Sequence, residues 1–278
     1  MLTGPFLDRN WMGQNEDYKT SDIIMLGMPF DGTVSYRPGS RFAPEQIRLA
    51  SWGLEEYSPY FDKHLEDCNF HDAGDLEFPL GNTEKSLEVI KKNVEEIYRD
   101  GKKVFGIGGE HLVTLPEIQA VSKYVDNLAI VHFDAHTDLR EEYLGEPLSH
   151  SAVIRHSAEI VGFENLKQIG IRSGMKEEFE LMKKYGTLIH EHSELDCFKN
   201  KNIFVTVDLD VLDTSIMSGT GTPEVGGMNF NQLLGWFKYL SNFNIVGADV
   251  VELAPDYDTS GASTAVATKV IRELLMAM

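Results

Sequence analysis

Four short apolar segments of this chain are each followed at once by residues that can bind a metal ion. These residues are His111, Asp134, His136, Asp138, Asp208, Asp210 and Glu252. Where such residues are spaced two apart on an extended segment, their side chains point to the same side and can converge. Four ionised aspartates cannot share one place without cations, because repulsion and desolvation would raise their pKa values. A divalent metal would resolve this conflict.

The composition of this donor set indicates which metal it would bind. Two histidines and four aspartates supply mostly oxygen and no thiolate, which favours Mn²⁺ over structural zinc. Six ligands are too many for one catalytic metal that must keep an open position. We therefore expect two Mn²⁺ ions per chain, roughly 3.5–4 Å apart, with bridging carboxylates and a bridging hydroxide. A lone aspartate after a strand is usually a cap or turn residue. The prediction therefore depends on residues of metal-binding type occurring at several strand ends together.

The apolar segments themselves are continuous rather than alternating, which is typical of strands buried on both faces. They span residues 23–28, 104–107, 128–133, 203–207 and 245–251. Helical patterns occur at about 83–99 and at the C-terminus. This alternation predicts an α/β fold with a mostly parallel, doubly wound sheet, whose ligands bind outside the carboxyl ends of the strands. We interpret residues 52–81 as an irregular excursion and residues 1–278 as one catalytic domain.

The overall composition restricts the partners. With 25 Lys and Arg against 44 Asp and Glu, the net charge is −19. This argues against nucleic acid and anionic membranes and suits a small cationic substrate. Two cysteines are too few for a disulfide framework. The first twelve residues hold no apolar stretch of signal-peptide length, and no run approaches the ~18 apolar residues of a spanning helix. We expect a cytoplasmic protein.

Several motifs resemble the signatures of the ureohydrolase family, which contains arginases and agmatinases. They are GGEH at 108–111, FDAHTD at 133–138, DLDVLD at 208–213, GTGTPEVGG at 219–227 and DVVELAP at 249–255. The motifs follow the family's order, and the segments 38–48 and 138–150 look more like those of agmatinases. The arginase/deacetylase-like three-layer fold of this family agrees with the sheet predicted from the apolar segments.

The resemblance implies a role for each candidate residue. One Mn²⁺ would be bound by His111 and Asp138, the other by His136 and Asp210, and both would be bridged by Asp134 and Asp208. His150 matches the histidine that passes a proton to the leaving amine, a task that suits a pKa near 6.5. Glu252 matches the glutamate that orients the guanidinium. By analogy with the family we expect a homo-oligomer, a trimer or hexamer.

The expected substrate is agmatine, hydrolysed to putrescine and urea as a step of polyamine biosynthesis. Arginine carries an α-carboxylate that needs hydrogen-bond donors, whereas the segment after FDAHTD contains the acidic residues Glu141 and Glu142. A carboxylate entering there would be repelled and desolvated without compensation. Arg140 is the counter-argument, since it could pair with the carboxylate of a guanidino acid, but we expect a neighbouring glutamate to occupy it.

Several alternatives compete with this interpretation. A guanidinobutyrase or an arginase-like enzyme would differ only in substrate. A single-metal zinc deacylase would not need both Asp208 and Asp210, and a binuclear phosphoesterase would need a basic clamp that this acidic chain lacks. A catalytically inactive homologue acting as a binding partner would be expected to have lost ligands. Metal analysis of the purified protein would separate these alternatives. Two Mn per chain would indicate the binuclear enzyme, one Zn the deacylase, and no metal a binding protein.

Overall fold

The computed structural model describes residues 10–13 and 17–278 of the chain. In chain order the described strands are β1 (Ile23–Met28), β2 (Tyr57–Ser58), β3 (Lys63–His64), β4 (Phe70–Asp75), β5 (Lys103–Gly108), β6 (Leu128–Phe133), β7 (Leu166–Ile169), β8 (Asn202–Asp208) and β9 (Asn244–Val251). The α-helices are α1 (Ala43–Ser51), α2 (Thr83–Arg99), α3 (Thr114–Val121), α4 (Val153–Val161), α5 (Lys176–Tyr185), α6 (Phe230–Leu240) and α7 (Ala262–Ala277). The expectation about a signal peptide falls largely on residues 1–9, which lie outside the described residues.

One seven-stranded sheet organises the molecule. Its strand order is β4-β1-β5-β9-β8-β6-β7, and every neighbouring pair is parallel. Strands β2 and β3 form a separate antiparallel pair. The predicted mostly parallel sheet is thus confirmed, and all seven of its strands run the same way.

Helices cover both faces of this sheet and create two hydrophobic cores. One core packs α1, α6 and α7 against side chains such as Ile23 and Met25, and the other packs α2 to α5 against Ile24 and Leu26. Neighbouring residues of β1 therefore enter opposite cores, as the two-residue period of a strand requires. This double burial explains why the strand sequences are continuously apolar.

Helix α2 shows how local sequence sets the boundaries of an element. The side chain of Asn82 accepts a hydrogen bond from the Lys85 N–H at 2.9 Å and caps the first turn. Its buried face includes Leu87, Ile90 and Val94, spaced three and four residues apart. The predicted helix at 83–99 is confirmed residue for residue.

The interpretation of residues 52–81 as irregular is wrong in part. This segment contains the β2–β3 pair and also β4, an edge strand of the main sheet. Strand β4 has the sequence FHDAGD, in which only Phe70 and Asp72 are buried. An edge strand that carries buried charge lacks the apolar run by which the central strands were recognised. Within the described part of the chain, no helix is both long and apolar enough to cross a membrane.

Candidate active site

The candidate metal ligands lie at the carboxyl ends of four strands that are neighbours in the sheet. The strands β5, β9, β8 and β6 follow one another across its centre. His111 comes after β5, Asp134 follows β6, Asp208 ends β8, and Glu252 follows β9. Residues that are up to 141 positions apart in sequence thereby meet at one edge, as the hydrogen bond from the His111 N–H to the Glu252 carboxylate shows.

The first group of ligands surrounds His111. Its Nδ1 atom lies 3.1 Å from Asp138 Oδ2, 3.2 Å from Asp134 Oδ2 and 3.5 Å from Asp208 Oδ2. His111 is 1% exposed, yet Nδ1 makes no well-aligned hydrogen bond to any of these oxygens. A buried nitrogen that faces three carboxylates without a bonded partner fits a metal ligand.

The second group surrounds His136. Its Nδ1 atom lies 2.9 Å from Asp210 Oδ2 and 3.4 Å from Asp134 Oδ1. Asp134 therefore offers one oxygen to each group, which is the geometry of a bridging carboxylate. Asp208 faces the first group and holds the turn by accepting the Asp210 N–H at 2.8 Å. All six predicted ligands thus lie around His111 or His136, in two groups joined through Asp134.

The electrostatics of this cluster call for cations. Burial and the charge of Asp134 raise the pKa of Asp138 to about 7. Burial and the charge of Asp210 raise the pKa of Asp208 well above its ordinary value. Burial alone would lower the pKa of His136, but hydrogen bonds to Asp134 and Asp210 raise it to about 12. Without metal, protons take the place of the missing positive charge, so the donor set fits a pair of divalent ions.

Two of the site residues have an unusual backbone conformation. Asp138 has φ 49° and Glu252 has φ 69°, a region that costs non-glycine residues of order 1–3 kcal/mol. The Glu252 N–H donates to Gly109 O at 2.8 Å, and its Oε1 accepts the His111 N–H at 2.7 Å. A Cβ at Gly109 would lie 1.8 Å from Phe30 O, so only glycine allows this close approach. These contacts fix Glu252 with its second oxygen, Oε2, near Gly221.

His150 is held at the pocket by two hydroxyl groups. Nδ1 lies 3.5 Å from Thr33 Oγ1, and Nε2 lies 3.3 Å from Ser35 Oγ. The Thr33 hydroxyl donates to buried Glu110 at 2.5 Å. Burial lowers the pKa of His150 to about 4, so the expectation of a value near 6.5 is wrong. The ring is neutral at neutral pH and must take up a proton before it can donate one.

The site also contains a buried histidine that the sequence analysis missed. His132 Nε2 lies 2.8 Å from Asp134 Oδ2, and Gln168 Nε2 donates to His132 Nδ1 at 3.2 Å. Gln168 thereby orients the ring so that it donates to Asp134 and holds this shared carboxylate in place. The sequence did contain a signal for His132, because it is a lone polar residue inside the apolar run of β6. Thr33 and Glu110 gave no such signal, because only the folded chain brings them to His150.

A cavity of about 270 Å³ opens beside the ligands. Asp138, Asp208, His150 and Glu252 line it, together with Arg140, Tyr143 and Glu178. The guanidinium of Arg140 lies 5.1 Å from the centre of the Tyr143 ring. The expectation that a neighbouring glutamate occupies Arg140 is wrong, because Glu141 pairs with Arg155 at 3.1 Å. Within the described residues Arg140 makes no ion pair, so the cavity contains an unpaired guanidinium beside its carboxylates.

Comparisons with known proteins agree with this geometry. The model of the arginase family matches residues 21–277. The agmatinase of Bacillus subtilis is 48% identical over 275 residues, covering 96% of this chain and 95% of that protein. A Clostridium difficile structure provisionally assigned as an agmatinase has a TM-score of 0.90 and 47% identity, covering 94% of this chain and 98% of that one. Proclavaminate amidino hydrolase of Streptomyces clavuligerus has a TM-score of 0.88 and 28% identity, covering 96% of each chain.

These similarities confirm the family and the fold that the sequence motifs indicated. The three-layer αβα architecture is shared with the solved structures, and agmatinases are among the relatives that cover almost the whole chain. The expectation of a ureohydrolase enzyme is confirmed as well. Its buried cluster of histidines and aspartates is compatible with a binuclear metal site. The chain belongs to the arginase family.

Proposed function

We propose that this protein hydrolyses the guanidinium group of agmatine to putrescine and urea with two bound Mn²⁺ ions. The observation that carries the proposal is the buried ligand cluster beside a cavity that Glu252 lines together with Asp138, Asp208 and Glu178. The oxygen-rich donor set supports Mn²⁺ as the metal. The agmatinases among the relatives support agmatine as the substrate.

The proposed ligands divide between the two ions as the two groups suggest. His111 and Asp138 would hold one ion and His136 and Asp210 the other, with bridging oxygens from Asp134 and Asp208. When bound, such a pair of ions lowers the pKa of water so that hydroxide is available near neutral pH. The carboxylates of this chain would hold that water in place and keep both ions inside a buried, preorganised site.

Glu252 would bind the substrate's guanidinium. One of its oxygens is committed to the His111 N–H, so Oε2 is the atom available to accept charge-assisted hydrogen bonds. Its fixed backbone would hold the guanidinium carbon over the ligand cluster and supply much of the orientation that catalysis needs. A cationic substrate also suits an acidic cavity, because removal from water is compensated there by opposite charge.

His150 would move the proton that the leaving amine requires. Since its ring is neutral at neutral pH, it can accept a proton at Nδ1 or Nε2 during attack and return it to the amine nitrogen. Thr33 and Ser35 would keep the ring facing the cavity during this transfer.

Arg140 favours a second candidate substrate. Its guanidinium lines the cavity without a carboxylate partner among the described residues, so it could bind the carboxylate of a guanidino acid such as guanidinobutyrate. A relative named for an amidino hydrolase acting on proclavaminate shares this fold. The carboxylate of Glu178 in the same cavity, which is not among the proposed metal ligands, favours the ammonium of agmatine instead.

Urea release from agmatine, arginine and guanidinobutyrate, with the Mn²⁺-loaded protein, separates these candidates. We expect agmatine to be preferred by at least roughly 10²-fold in kcat/KM, or about 2.7 kcal/mol. The variant Arg140→Met keeps the length of the side chain and removes its charge. It should leave agmatine turnover largely intact and abolish any residual activity on guanidinobutyrate. Equal turnover of guanidinobutyrate and agmatine by the unmodified protein would contradict the substrate, but not the family.

The setting of the enzyme is part of the proposal. We propose one catalytic domain that acts in the cytoplasm on a small cationic guanidino compound, in polyamine biosynthesis, without nucleic acid or membrane partners. We also propose a homo-oligomer, a trimer or hexamer. Light scattering on the purified protein would measure its mass in solution, and a monomer would contradict the proposed assembly.

A further inference from the structure

The guanidinium of Arg172 is bound by five backbone carbonyl groups. Arg172 follows β7 and is half-buried. Its acceptors are Val225 O at 3.0 Å from Nε, Gly170 O and Val211 O at 3.2 and 3.3 Å from Nη1, and Asp210 O and Glu224 O at 2.7 and 2.8 Å from Nη2. Because an arginine side chain has five N–H donors, each donor has an acceptor of its own. We call the guanidinium with these carbonyls the Arg172 junction.

The Arg172 junction connects three segments around the second ligand group. Two of its acceptors lie in the DLDVLD segment at 208–213, and two lie in the GTGTPEVGG segment at 219–227. The backbone N–H of Arg172 donates to Ala135 O at 2.8 Å, within the FDAHTD segment at 133–138. Arg172 thus joins both ligand-bearing segments of this group to a third segment that bears no ligand.

Part of the third segment depends on Arg172 for its position. Within the described chain, residues 222–225 form no backbone–backbone hydrogen bond. The flanking residues Gly219 and Met228 do form such bonds, at 2.7 and 3.0 Å. Since the guanidinium binds two carbonyls of residues 222–225, it holds them in place between these two fixed ends.

Residues 222–225 also contact a metal ligand directly. The Thr222 hydroxyl donates to Asp210 Oδ2 at 3.3 Å, and this is the oxygen that lies 2.9 Å from His136 Nδ1. The other oxygen, Oδ1, accepts the Ala135 N–H at 3.0 Å. Hydrogen bonds behind a ligand orient it for its metal. One of the two that orient Asp210 therefore depends on the position of Thr222.

We propose that Arg172 is a positioning residue for the second proposed ion. It holds residues 222–225 against the turn at Asp210, and Thr222 in turn orients the Asp210 carboxylate. None of the five carbonyls belongs to the first ligand group, so the first ion should not depend on the Arg172 junction. The inference rests on the binuclear site of the proposed function, but not on the identity of the substrate.

A small set of variants separates the parts of the Arg172 junction. Arg172→Met keeps the length of the side chain and removes all five donors. Arg172→Lys keeps the charge, but its donors lie on a single nitrogen that cannot span both segments. Thr222→Val removes only the hydroxyl that reaches the ligand. Arg155→Met is the matched control, because Arg155 is also half-buried but donates to the carboxylates of Glu141 and Glu159.

Titration of the metal-free proteins with Mn²⁺ measures both affinities, and circular dichroism checks folding. We expect Arg172→Met and Thr222→Val to weaken one ion by about 10–100-fold, the usual effect of losing support behind a ligand, and to leave the other unchanged. Arg172→Lys should recover only part of this loss, and Arg155→Met should bind both ions as the parent does. The double variant Arg172→Met/Thr222→Val should be no weaker than Arg172→Met, since both changes act through one contact. A merely structural role would weaken both ions or neither.

EPR spectroscopy at a Mn²⁺ concentration that just saturates the parent provides a second readout. We expect the spectrum of a coupled pair of ions in the parent and in Arg155→Met. In Arg172→Met the spectrum should be mainly that of isolated ions, because the second site is no longer filled at this concentration.

Proteolysis of the metal-free protein tests the Arg172 junction without any ion. Because Arg172 binds the carbonyls of Glu224 and Val225, a glutamate-specific protease should cleave after Glu224 faster in Arg172→Met than in the parent. Arg155→Met should be cleaved there at the parent's rate. Mass spectrometry of the fragments identifies the site.

The outcomes distinguish this inference from the proposed function. Unchanged affinity for both ions in a folded Arg172→Met protein, an equal loss at both ions, or full recovery in Arg172→Lys would overturn the inference. Fewer than two ions in the parent would instead contradict the proposed function. Faster cleavage after Glu224 in Arg172→Met would in that case still support the role of Arg172 in holding residues 222–225.

Discussion

Asp210 belongs to one ligand group, with its Oδ2 atom 2.9 Å from His136 Nδ1. Asp210→Ala removes a ligand from one proposed ion and also relieves the crowding of carboxylates. We therefore expect the variant to fold, to bind about one Mn²⁺ per chain and to lose turnover. Metal analysis, circular dichroism and urea release measure these three properties.

Asp213→Ala is the matched control for this variant. Asp213 lies in the same DLDVLD segment, but it accepts the Gly226 and Gly227 N–H groups at 2.8 and 3.1 Å and does not face the cluster. The variant Asp213→Ala should therefore keep both ions. Normal turnover in folded Asp210→Ala would refute the binuclear assignment.

Glu252→Gln should separate substrate binding from metal binding. The glutamine oxygen can still accept the His111 N–H, so we expect both ions to be retained. The negative charge that would face the guanidinium is lost, and kcat/KM should fall on the order of 10²-fold or more. Steady-state kinetics alongside metal analysis provides the test. Unchanged kinetics would show that the guanidinium binds elsewhere.

Among single residues, the sequence predicted the metal ligands better than the residues that support them. His136 and Asp138 could be identified because a metal site needs particular residue types, and these lie close together in one motif. Thr33 and Glu110 support His150 through contacts that span 77 and 117 residues of sequence. Nothing in their local sequence distinguishes them from other polar loop residues. The low pKa of His150 was equally hidden, because it arises from burial by distant segments.

Among the elements, α1 and β4 are joined by a buried ion pair. Arg48 donates to Asp72 through Nε at 2.7 Å and Nη2 at 2.8 Å, and the two residues are 6% and 3% exposed. Asp72→Ala leaves a buried guanidinium without this partner, so the free energy of unfolding should fall by roughly 3–5 kcal/mol. Urea denaturation at neutral pH measures this loss. Glu88→Ala is the control, since its exposed pair with Lys92 should contribute at most about 1 kcal/mol.

The same ion pair should make stability sensitive to acid. Burial alone would raise the pKa of Asp72, but the hydrogen bonds and charge of Arg48 lower it below its ordinary value. The stabilisation is therefore complete above the unfolded pKa of about 3.9 and is lost as pH falls through the lower folded value. The stability difference between parent and Asp72→Ala should shrink below about pH 4. A constant difference down to pH 2 would contradict this origin.

The elements that the sequence predicted are those whose apolar residues follow a regular pattern. Five central strands and α2 carry apolar residues at the period of their own geometry, so the pattern alone identifies them. Strands β4 and β7 lie at the two edges of the sheet, and β7 has only four residues. Their partners in the sheet, rather than their own side chains, determine that they are strands.

For the whole molecule, the meeting of the ligands at one edge could be predicted, but the strand order could not. Parallel strands bring their carboxyl ends to the same edge whatever their order. The adjacency of β9 to both β5 and β8 depends on pairing between segments that are distant in sequence. This order places Glu252 between the two ligand-bearing halves of the sheet.

The crowded carboxylates should also make the stability of the metal-free protein depend on pH. Burial raises the pKa of Asp138 to about 7 and that of Glu252 to about 8, against about 4 in an unfolded chain. The folded state thus holds protons that the unfolded chain has already released. Its stability must fall as pH rises from about 5 to about 8. The raised pKa of His136 acts in the same direction, because its stabilisation is complete below about 6.5 and declines above it.

Bound metal should abolish this loss of stability with rising pH and turn it into a gain. Mn²⁺ competes with protons for the same side chains, so its affinity and its stabilising effect grow as pH rises. We expect the melting temperature of the chelated protein to fall between pH 5.5 and 8, while the gap to the Mn²⁺-loaded protein widens. Mg²⁺ at the same concentration is the control for ionic strength and should narrow the gap far less, because the site contains two imidazole ligands that Mg²⁺ binds poorly. A metal-free protein whose melting temperature rises over this range would show that the buried aspartates are not the groups that bind the ions.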